Sequence, residues 1–187
     1  MPFQFRKLEI PGIVLLEPKI YKDERGHFLE IYKRSELKEI GVDKTIAQVS
    51  QSSNKRNTLR GLHYQLNPMA QGKLVSVLRG RIFDVAVDIR KGSPTYGKWA
   101  GVNLDSKKKN MLYIPEGFAH GFYTISAVAE VLYQCTNEYS KEHERGIVWN
   151  DPSLAIAWPV NDPLVLEKEN QLPLFKDADN NFIYSAS

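Results

Sequence analysis

The chain has 187 residues, a formal net charge of +3, and 42% hydrophobic and 25% charged residues. This length suits one domain with a sizeable core, and the composition is that of an ordinary globular protein. The small charge argues against nucleic-acid binding, but it permits a local site for a phosphorylated small molecule.

Neither a targeting segment nor a disulfide is predicted. The first residues, MPFQFRKLEIPGIVLLEP, lack the uninterrupted apolar stretch of a signal peptide, and no later segment approaches the length of a membrane span. The only cysteine, Cys135, lies in the apolar run VLYQCT and is interpreted as a reduced, buried side chain. These features predict a cytoplasmic protein with no membrane partner.

Short runs rich in Val, Ile, Tyr and Phe, separated by Gly, Pro, Asn and Asp, predict a succession of β-strands. One helix is predicted in RSELKEIG, with Gly41 at its C-terminal end. In RIFDVAVDI, every second residue from Phe83 to Ile89 is apolar, as in a strand with one apolar face. The predicted strands, in chain order, are IVLLEP, FLEIYK, LRGLHYQ, LVSVLRG, RIFDVAVDI, KWAGVNL, MLYIP, HGFYTI and EVLYQCT.

This succession of short strands and turns predicts an all-β fold, a sandwich or barrel of antiparallel strands with a few short helices. We expect a single domain over residues 1–187. From about residue 159, prolines and the polar run DADNN predict a C-terminal tail that wraps the body.

Two histidines stand out as candidates for chemistry. His63 lies in LRGLHYQ beside Arg60, and two such groups in an otherwise apolar strand need partners or a ligand. His120 ends the tight turn IPEGFAH at the start of a strand. A histidine of this kind can equally be a structural residue whose hydrogen bonds are satisfied inside the protein.

A metal site is not predicted. Cupin barrels often hold a metal on a His-x-His motif followed by a Glu, but here the stretch reads His63-Tyr64-Gln65, with Lys73 close behind. Two histidines without a carboxylate partner make a poor transition-metal site. The cations Arg25, Arg60 and Lys73 instead favour an anionic organic ligand, because Arg suits phosphate and Lys can stabilise an oxyanion.

Long blocks of the sequence resemble the dTDP-4-dehydrorhamnose 3,5-epimerase family. The resemblance runs from about Glu17 to Trp158 and keeps order and spacing. It implies a dimeric cupin jelly roll that acts without a metal or other cofactor in deoxysugar biosynthesis, such as rhamnose synthesis. The blocks are DERGHFLE, LRGLHYQ, QGKLVSVLRGRIFDVAVDIRKGSPTYGKW, IPEGFAHGF and YQCTNEYSKEHERGIVWNDP.

The resemblance also implies roles for individual residues. His63 matches the general base, Tyr133 the proton donor, and Lys73 a group near the sugar carbonyl. Tyr139 matches an aromatic residue that stacks on thymine, and Arg25 a residue that reaches the nucleotide in the neighbouring subunit. Further substrate-contacting positions are Phe28, Glu30, Gln48, Arg60, His120, Glu144 and Lys168.

These roles fit the chemistry of a 4-keto sugar. The hydrogens on C3 and C5 both lie next to the carbonyl, so removal of either gives an enolate. A base on one face and an acid on the other allow reprotonation with inversion. A lysine near O4 would stabilise the enolate.

The sequence departs from the family at two places. A Ser-x-Lys-Asp stretch usually orients the histidine, but here it reads Leu166-Glu167-Lys168-Glu169, so Glu169 would replace the Asp. The usual Gln-Asp-Asn reads Gln48-Val49-Ser50, which removes an amide that would face the substrate.

Several functions therefore stay open. The first is 3,5-epimerisation of a dTDP-4-keto-6-deoxyhexose. Its close alternatives are epimerisation at C3 alone, or of another nucleotide-linked 4-keto sugar. A non-catalytic sugar-binding cupin and a metal-dependent cupin oxygenase or isomerase belong to different classes.

Overall fold

The computed structural model describes residues 2–185, and its regular secondary structure is almost entirely antiparallel β-sheet. The helices within this range are α1 (Arg34–Glu39), α2 (Glu167–Asn170) and a 3-10 turn at Phe175–Asp177. The strands are β1 (Phe3–Lys7), β2 (Val14–Pro18), β3 (Tyr21–Asp23), β4 (Gly26–Phe28), β5 (Gln48–Lys55), β6 (Leu59–Gln65), β7 (Lys73–Arg79), β8 (Arg81–Asp88), β9 (Trp99–Asp105), β10 (Met111–Ile114), β11 (Phe118–Thr124), β12 (Val128–Cys135) and β13 (Glu144–Gly146).

Two sheets form the body of the protein. One has the order β1-β2-β10-β7-β12-β5, and the other has the order β13-β6-β11-β8-β9. Strands β3 and β4 form a separate hairpin. Because successive strands from β5 to β8 and from β9 to β13 alternate between the two sheets, the fold is a jelly-roll sandwich, and the prediction of an all-β fold is confirmed.

The apolar core lies between the two sheets. Its main cluster joins side chains of both sheets, because every second residue of each strand points inward. Burial of these side chains holds the sheets together, at about 1.5–3 kcal/mol for each large aliphatic residue. The fully buried members include Ile13, Val75, Ile82, Leu104, Leu112 and Val131.

The structure differs from the predicted strands in two places. Residues 29–33 of FLEIYK lie outside any strand, because only Phe28 has a pairing partner, Tyr21 in β3. Strand β8 is present, but both of its faces are buried rather than one, and Asp84 and Asp88 are fully buried. The polar face of β8 therefore meets protein groups instead of water.

The predicted helix is confirmed as α1, and the chain turns at Gly41 with a positive φ of 90°. The segment after Trp158 packs on the body at several points. Leu164 bridges to Thr58, Ile183 bridges to Lys91, and Phe182 joins a core cluster. The extent of a single domain with a wrapping tail stays a prediction.

Within residues 2–185, no helix has the length and apolar character needed to cross a membrane.

Candidate active site

A cavity of about 380 Å³ opens between the two sheets, and we call it the central cavity. Both sheets supply its lining, and most of the lining residues are polar. They are Ser50, Gln51, Ser52, Arg60, His63, Lys73, His120, Gly121, Phe122, Tyr133, Tyr139 and Glu144.

His63 and His120 lie side by side on one wall of the central cavity. They are register partners in the neighbouring strands β6 and β11. Two facing glycines let these strands approach closely: a Cβ on Gly61 would lie 2.5 Å from the Cα of Gly121, and one on Gly121 would lie 2.7 Å from the carbonyl oxygen of Arg60. The glycines of LRGLHYQ and AHGF therefore set the position of both histidines.

His63 has a carboxylate partner supplied by the C-terminal segment. Glu169, in α2, places Oε1 3.2 Å from Nε2 of His63, and Glu169 is almost fully buried. Burial raises the pKa of Glu169 above its usual value. Burial, followed by the charge of Lys73, lowers the pKa of His63 to about 4, so the imidazole is neutral at pH 7.

The opposite wall carries Lys73 and Tyr133. Lys73 begins β7, and Tyr133 lies in β12 of the same sheet. Burial raises the pKa of Tyr133 to about 12, so it keeps its proton at neutral pH. Burial lowers the pKa of Lys73, and the negative charge of Asp84 is among the smaller effects that oppose this shift.

His120 is held by Asp84, a residue whose role the sequence did not reveal. Nε2 of His120 lies 2.6 Å from Oδ1 of Asp84, and the side chains are 5% and 0% exposed. The other carboxylate oxygen, Oδ2, is buried without a hydrogen-bond partner in the described part of the chain. The ring of His120 also lies 6.5 Å from the ring of Tyr133, so the two walls meet here.

The mouth of the central cavity is formed by Tyr139 and its neighbours. The Tyr139 hydroxyl donates to Glu144 at 2.8 Å, and the Tyr139 backbone N–H donates to Oε1 of Gln48 at 2.7 Å. The Tyr139 side chain is otherwise exposed. These bonds hold an accessible aromatic ring in place, as a stacking surface requires.

A chain of hydrogen bonds connects Arg60, in one sheet, to Tyr133, in the other. Arg60 Nε donates to Oδ1 of Asn54 at 2.7 Å, and Nδ2 of Asn54 donates to Oγ of Ser52 at 2.9 Å. The Ser52 hydroxyl lies 2.9 Å from the Tyr133 hydroxyl. We call these four residues the Arg60–Tyr133 chain.

The structure brings most of the predicted site residues together, but not all of them. Lys168 lines an adjoining cleft of about 460 Å³, which shares His63 and Glu144 with the central cavity. Arg25 and Phe28 belong to the β3–β4 hairpin and are 84% and 66% exposed, and Arg25 pairs with Asp23 at 2.6 Å. Glu30 follows the same hairpin, and none of these three lines the central cavity.

Residues 2–185 contain no group of three or more His, Cys, Asp or Glu side chains arranged to hold a metal ion. The thiol of Cys135 is free and buried, as predicted, and burial raises its pKa.

Comparison with known proteins decides the family. Residues 7–177 match the model of the dTDP-4-dehydrorhamnose 3,5-epimerase family. The chain belongs to this family. The dTDP-4-dehydrorhamnose 3,5-epimerase of Shigella flexneri is 51% identical over 174 residues, which cover 92% of this chain and 96% of that protein. As a member of the family, the protein is an isomerase of the epimerase type, and the resemblance found in the sequence is confirmed.

Solved structures of this epimerase family share the fold. The dTDP-6-deoxy-D-glucose-3,5-epimerase of Legionella pneumophila, in complex with dTDP-4-keto-L-rhamnose, is 43% identical with a TM-score of 0.94, covering 98% of this chain and 100% of that one. A 3'-monoepimerase from Streptomyces bikiniensis, in complex with dTDP-quinovose, is 33% identical with a TM-score of 0.86, covering 90% and 86%. The cupin-type jelly roll is therefore confirmed for this epimerase.

Proposed function

We propose that the protein epimerises a dTDP-4-keto-6-deoxyhexose at C3 and C5, converting dTDP-4-keto-6-deoxyglucose to dTDP-4-dehydrorhamnose through an enolate. The observation that carries this proposal is the arrangement of His63 and Tyr133 on opposite walls of one cavity. A sugar ring between the two sheets would present one face to a base and the other to an acid. Proton removal and return on different faces inverts a carbon.

His63 acts as the base in this proposal. Its imidazole is neutral at pH 7 because burial and Lys73 lower its pKa, so it can accept a proton from the carbon next to the ketone. Glu169, 3.2 Å from Nε2, orients the ring and stabilises the imidazolium that forms. The longer Glu can thus serve in the place of the usual Asp.

Tyr133 acts as the acid, and Lys73 stabilises the enolate. Tyr133 keeps its proton until the reaction because its pKa is raised to about 12. A protonated Lys73 near O4 would offset the charge that develops on the oxygen, and such a donor contributes about 10²–10³-fold to the rate. His120, fixed by Asp84, would hold the sugar at the back of the cavity.

The mouth of the central cavity suits a nucleotide. Tyr139 offers an exposed ring for the thymine base, held by Gln48 and Glu144, and Arg60 offers a cation for the diphosphate. Lys168, in the adjoining cleft, supplies a second cation close to His63.

We further propose a cytoplasmic homodimer in which the β3–β4 hairpin completes the partner's site. Arg25 and Phe28 are highly exposed on this hairpin and do not reach the central cavity of their own chain. A hairpin with an exposed arginine and aromatic residue is suited to contact a nucleotide in a neighbouring subunit. Glu30, which comes just after the hairpin in the chain, would take part in the same contact.

Epimerisation at C3 alone is the second candidate. Ser50 lines the central cavity and is the register partner of Tyr133, at a position where the family usually has an amide. A shorter side chain beside the acid can change how the ring presents C5. The same change could instead admit a different sugar or nucleotide.

The test is incubation with dTDP-4-keto-6-deoxyglucose in heavy water, followed by mass spectrometry and NMR. We expect deuterium at both C3 and C5 and inversion at both carbons. Deuterium at C3 alone would support the second candidate, and no exchange at either carbon would refute the substrate assignment.

Two variants test the assigned roles in the same assay. His63→Ala should abolish exchange at both carbons, because the neighbouring imidazole of His120 is already hydrogen-bonded to Asp84. Tyr133→Phe should impair inversion more than deuterium exchange, because deprotonation still takes place. Exchange at the wild-type rate in His63→Ala would refute the base assignment.

A further inference from the structure

Within residues 2–185, Ser52 is the only residue that forms a hydrogen bond with the Tyr133 hydroxyl. The Ser52 hydroxyl also accepts a hydrogen bond from the side chain of Asn54, which fixes its position. Asn54, which is 2% exposed, donates from Nδ2 to Oγ of Ser52 at 2.9 Å and to the carbonyl oxygen of Ala129 at 3.2 Å. Ser52 is thus held in line between a buried amide and the acid of the proposed reaction.

Arg60 determines which way the amide of Asn54 points. The guanidinium can only donate, so the Asn54 atom 2.7 Å from Nε must be the oxygen. The nitrogen must then face Ser52 and donate to it. One lone pair of the Ser52 oxygen is therefore occupied, while its own hydrogen and its other lone pair remain available to Tyr133.

We propose that Ser52 is a positioning residue for proton donation by Tyr133, and that Asn54 and Arg60 set the direction of its hydroxyl. This inference rests on the proposed function, in which Tyr133 is the acid. Before the reaction, the Tyr133 hydroxyl donates its proton towards the sugar, and Ser52 holds the oxygen in place. As the proton leaves, the Ser52 hydroxyl donates to the phenolate oxygen.

The proton balance is complete without any further reactant. The O–H bond of Tyr133 breaks, the electron pair of the enolate forms the new C–H bond, and the charge moves from the enolate oxygen to the Tyr133 oxygen. Ser52 keeps its proton throughout and only donates a hydrogen bond. The cycle closes when the His63 imidazolium releases a proton to water and the phenolate takes one from water.

The orientation that Arg60 imposes on Asn54 affects the strength of the hydrogen bond from Ser52 to the phenolate. Hydrogen bonds to an ionised oxygen are about twice as strong as those between neutral groups. A hydroxyl that already accepts from an amide is also a better donor, because hydrogen bonds in a chain polarise one another. Since Arg60 also lines the central cavity, the cation proposed to bind the diphosphate is connected to the acid by three hydrogen bonds.

The test compares Ser52→Thr with Ser52→Val in the heavy-water assay. The two side chains have nearly the same shape, but only threonine keeps the hydroxyl. The measured quantity is the amount of deuterium in the recovered substrate divided by the amount of inverted product. It rises when deprotonation continues and the acid fails.

We expect Ser52→Val to raise this ratio about tenfold or more, because the lost hydrogen bond is one to an ionised oxygen. Ser52→Thr should keep the ratio within about twofold of wild type. Equal ratios in Ser52→Val and wild type would overturn the proposal, and so would an equal decrease in exchange and inversion, which indicates a purely structural role. Failure of the wild-type protein to exchange deuterium would instead refute the proposed function.

A second variant tests the direction of the hydroxyl. Asn54→Asp keeps an acceptor for Arg60, but it replaces the donor that faces Ser52 with an acceptor, so the Ser52 hydrogen turns away from Tyr133. The ratio should rise as in Ser52→Val although Ser52 is intact. Binding of dTDP, measured by calorimetry, is the folding control. A dTDP-binding Asn54→Asp protein with the wild-type ratio would show that Asn54 does not direct Ser52.

Discussion

Acidification tests the electrostatics of the central cavity most directly. If His63 had the ordinary histidine pKa of 6.5, about 3% of the imidazole would be neutral at pH 5. With the pKa lowered to about 4, about 90% is neutral at the same pH. Because the base must be neutral to accept a proton, kcat/KM should fall only as the pH drops below about 5.

The assay is deuterium incorporation by mass spectrometry between pH 4 and pH 8, which avoids a coupling enzyme with its own pH dependence. Thermal unfolding at each pH serves as the control for stability. Half-loss of kcat/KM near pH 6.5 would refute the argument, because it would mean that burial and Lys73 do not lower the pKa of His63.

The variant Glu169→Gln sharpens this test. An anion 3.2 Å from the imidazole stabilises the imidazolium, so its removal should move the acid limb to still lower pH. At the same time kcat should decrease by up to about 10²-fold, because the orientation of the base is lost. An acid limb that moves to higher pH would contradict the proposed pairing.

Three further predictions concern other groups of the site. Lys73→Met should lower kcat by about 10²–10³-fold with little change in dTDP affinity, measured by steady-state kinetics and calorimetry; a wild-type kcat would exclude Lys73 from enolate stabilisation. Asp84→Asn should move the basic limb of the pH profile of kcat/KM to lower pH. Lys73 must stay protonated, and loss of the negative charge of Asp84 further lowers its pKa. An unchanged basic limb would contradict this coupling. Gly121→Ala should lower Tm by about 5 °C in calorimetry, because the added Cβ would lie 2.7 Å from the carbonyl oxygen of Arg60. An unchanged Tm would show that β6 and β11 can move apart to make room for it.

The sequence predicted the body of the fold well, because apolar strands leave a clear signal. Strand β5 is the most instructive of the strands that the sequence did not predict. It reads QVSQSSNK, with none of the apolar alternation that marked its neighbours. Of its inward positions, Ser50 and Ser52 line the polar central cavity, and the buried Asn54 donates a hydrogen bond to Ser52. The strand was missed because its inner face serves the site.

The individual site residues also differ in how clearly the sequence marks them. The two histidines and Lys73 could be found as candidates because cations and imidazoles are conspicuous in apolar strands. Asp84 lies on the other face of the strand that was predicted to have one apolar face, and only the structure shows that Asp84 is buried against His120. Alternation along β8 shows where Asp84 points, but not what covers it.

The carboxylate partner of His63 belongs to the C-terminal segment of the chain. Glu169 lies more than a hundred residues after the histidine and is held by contacts of the C-terminal segment, including the hydrogen bond from the backbone of Val148 to Pro173 and the bridge from Leu164 to Thr58. The sandwich and its cavity are assembled from strands that end before residue 147. During synthesis, the pocket can therefore form while the base still lacks its orienting carboxylate. A protease that cut between the sandwich and α2 and released the segment with Glu169 would leave His63 without this carboxylate and lower turnover.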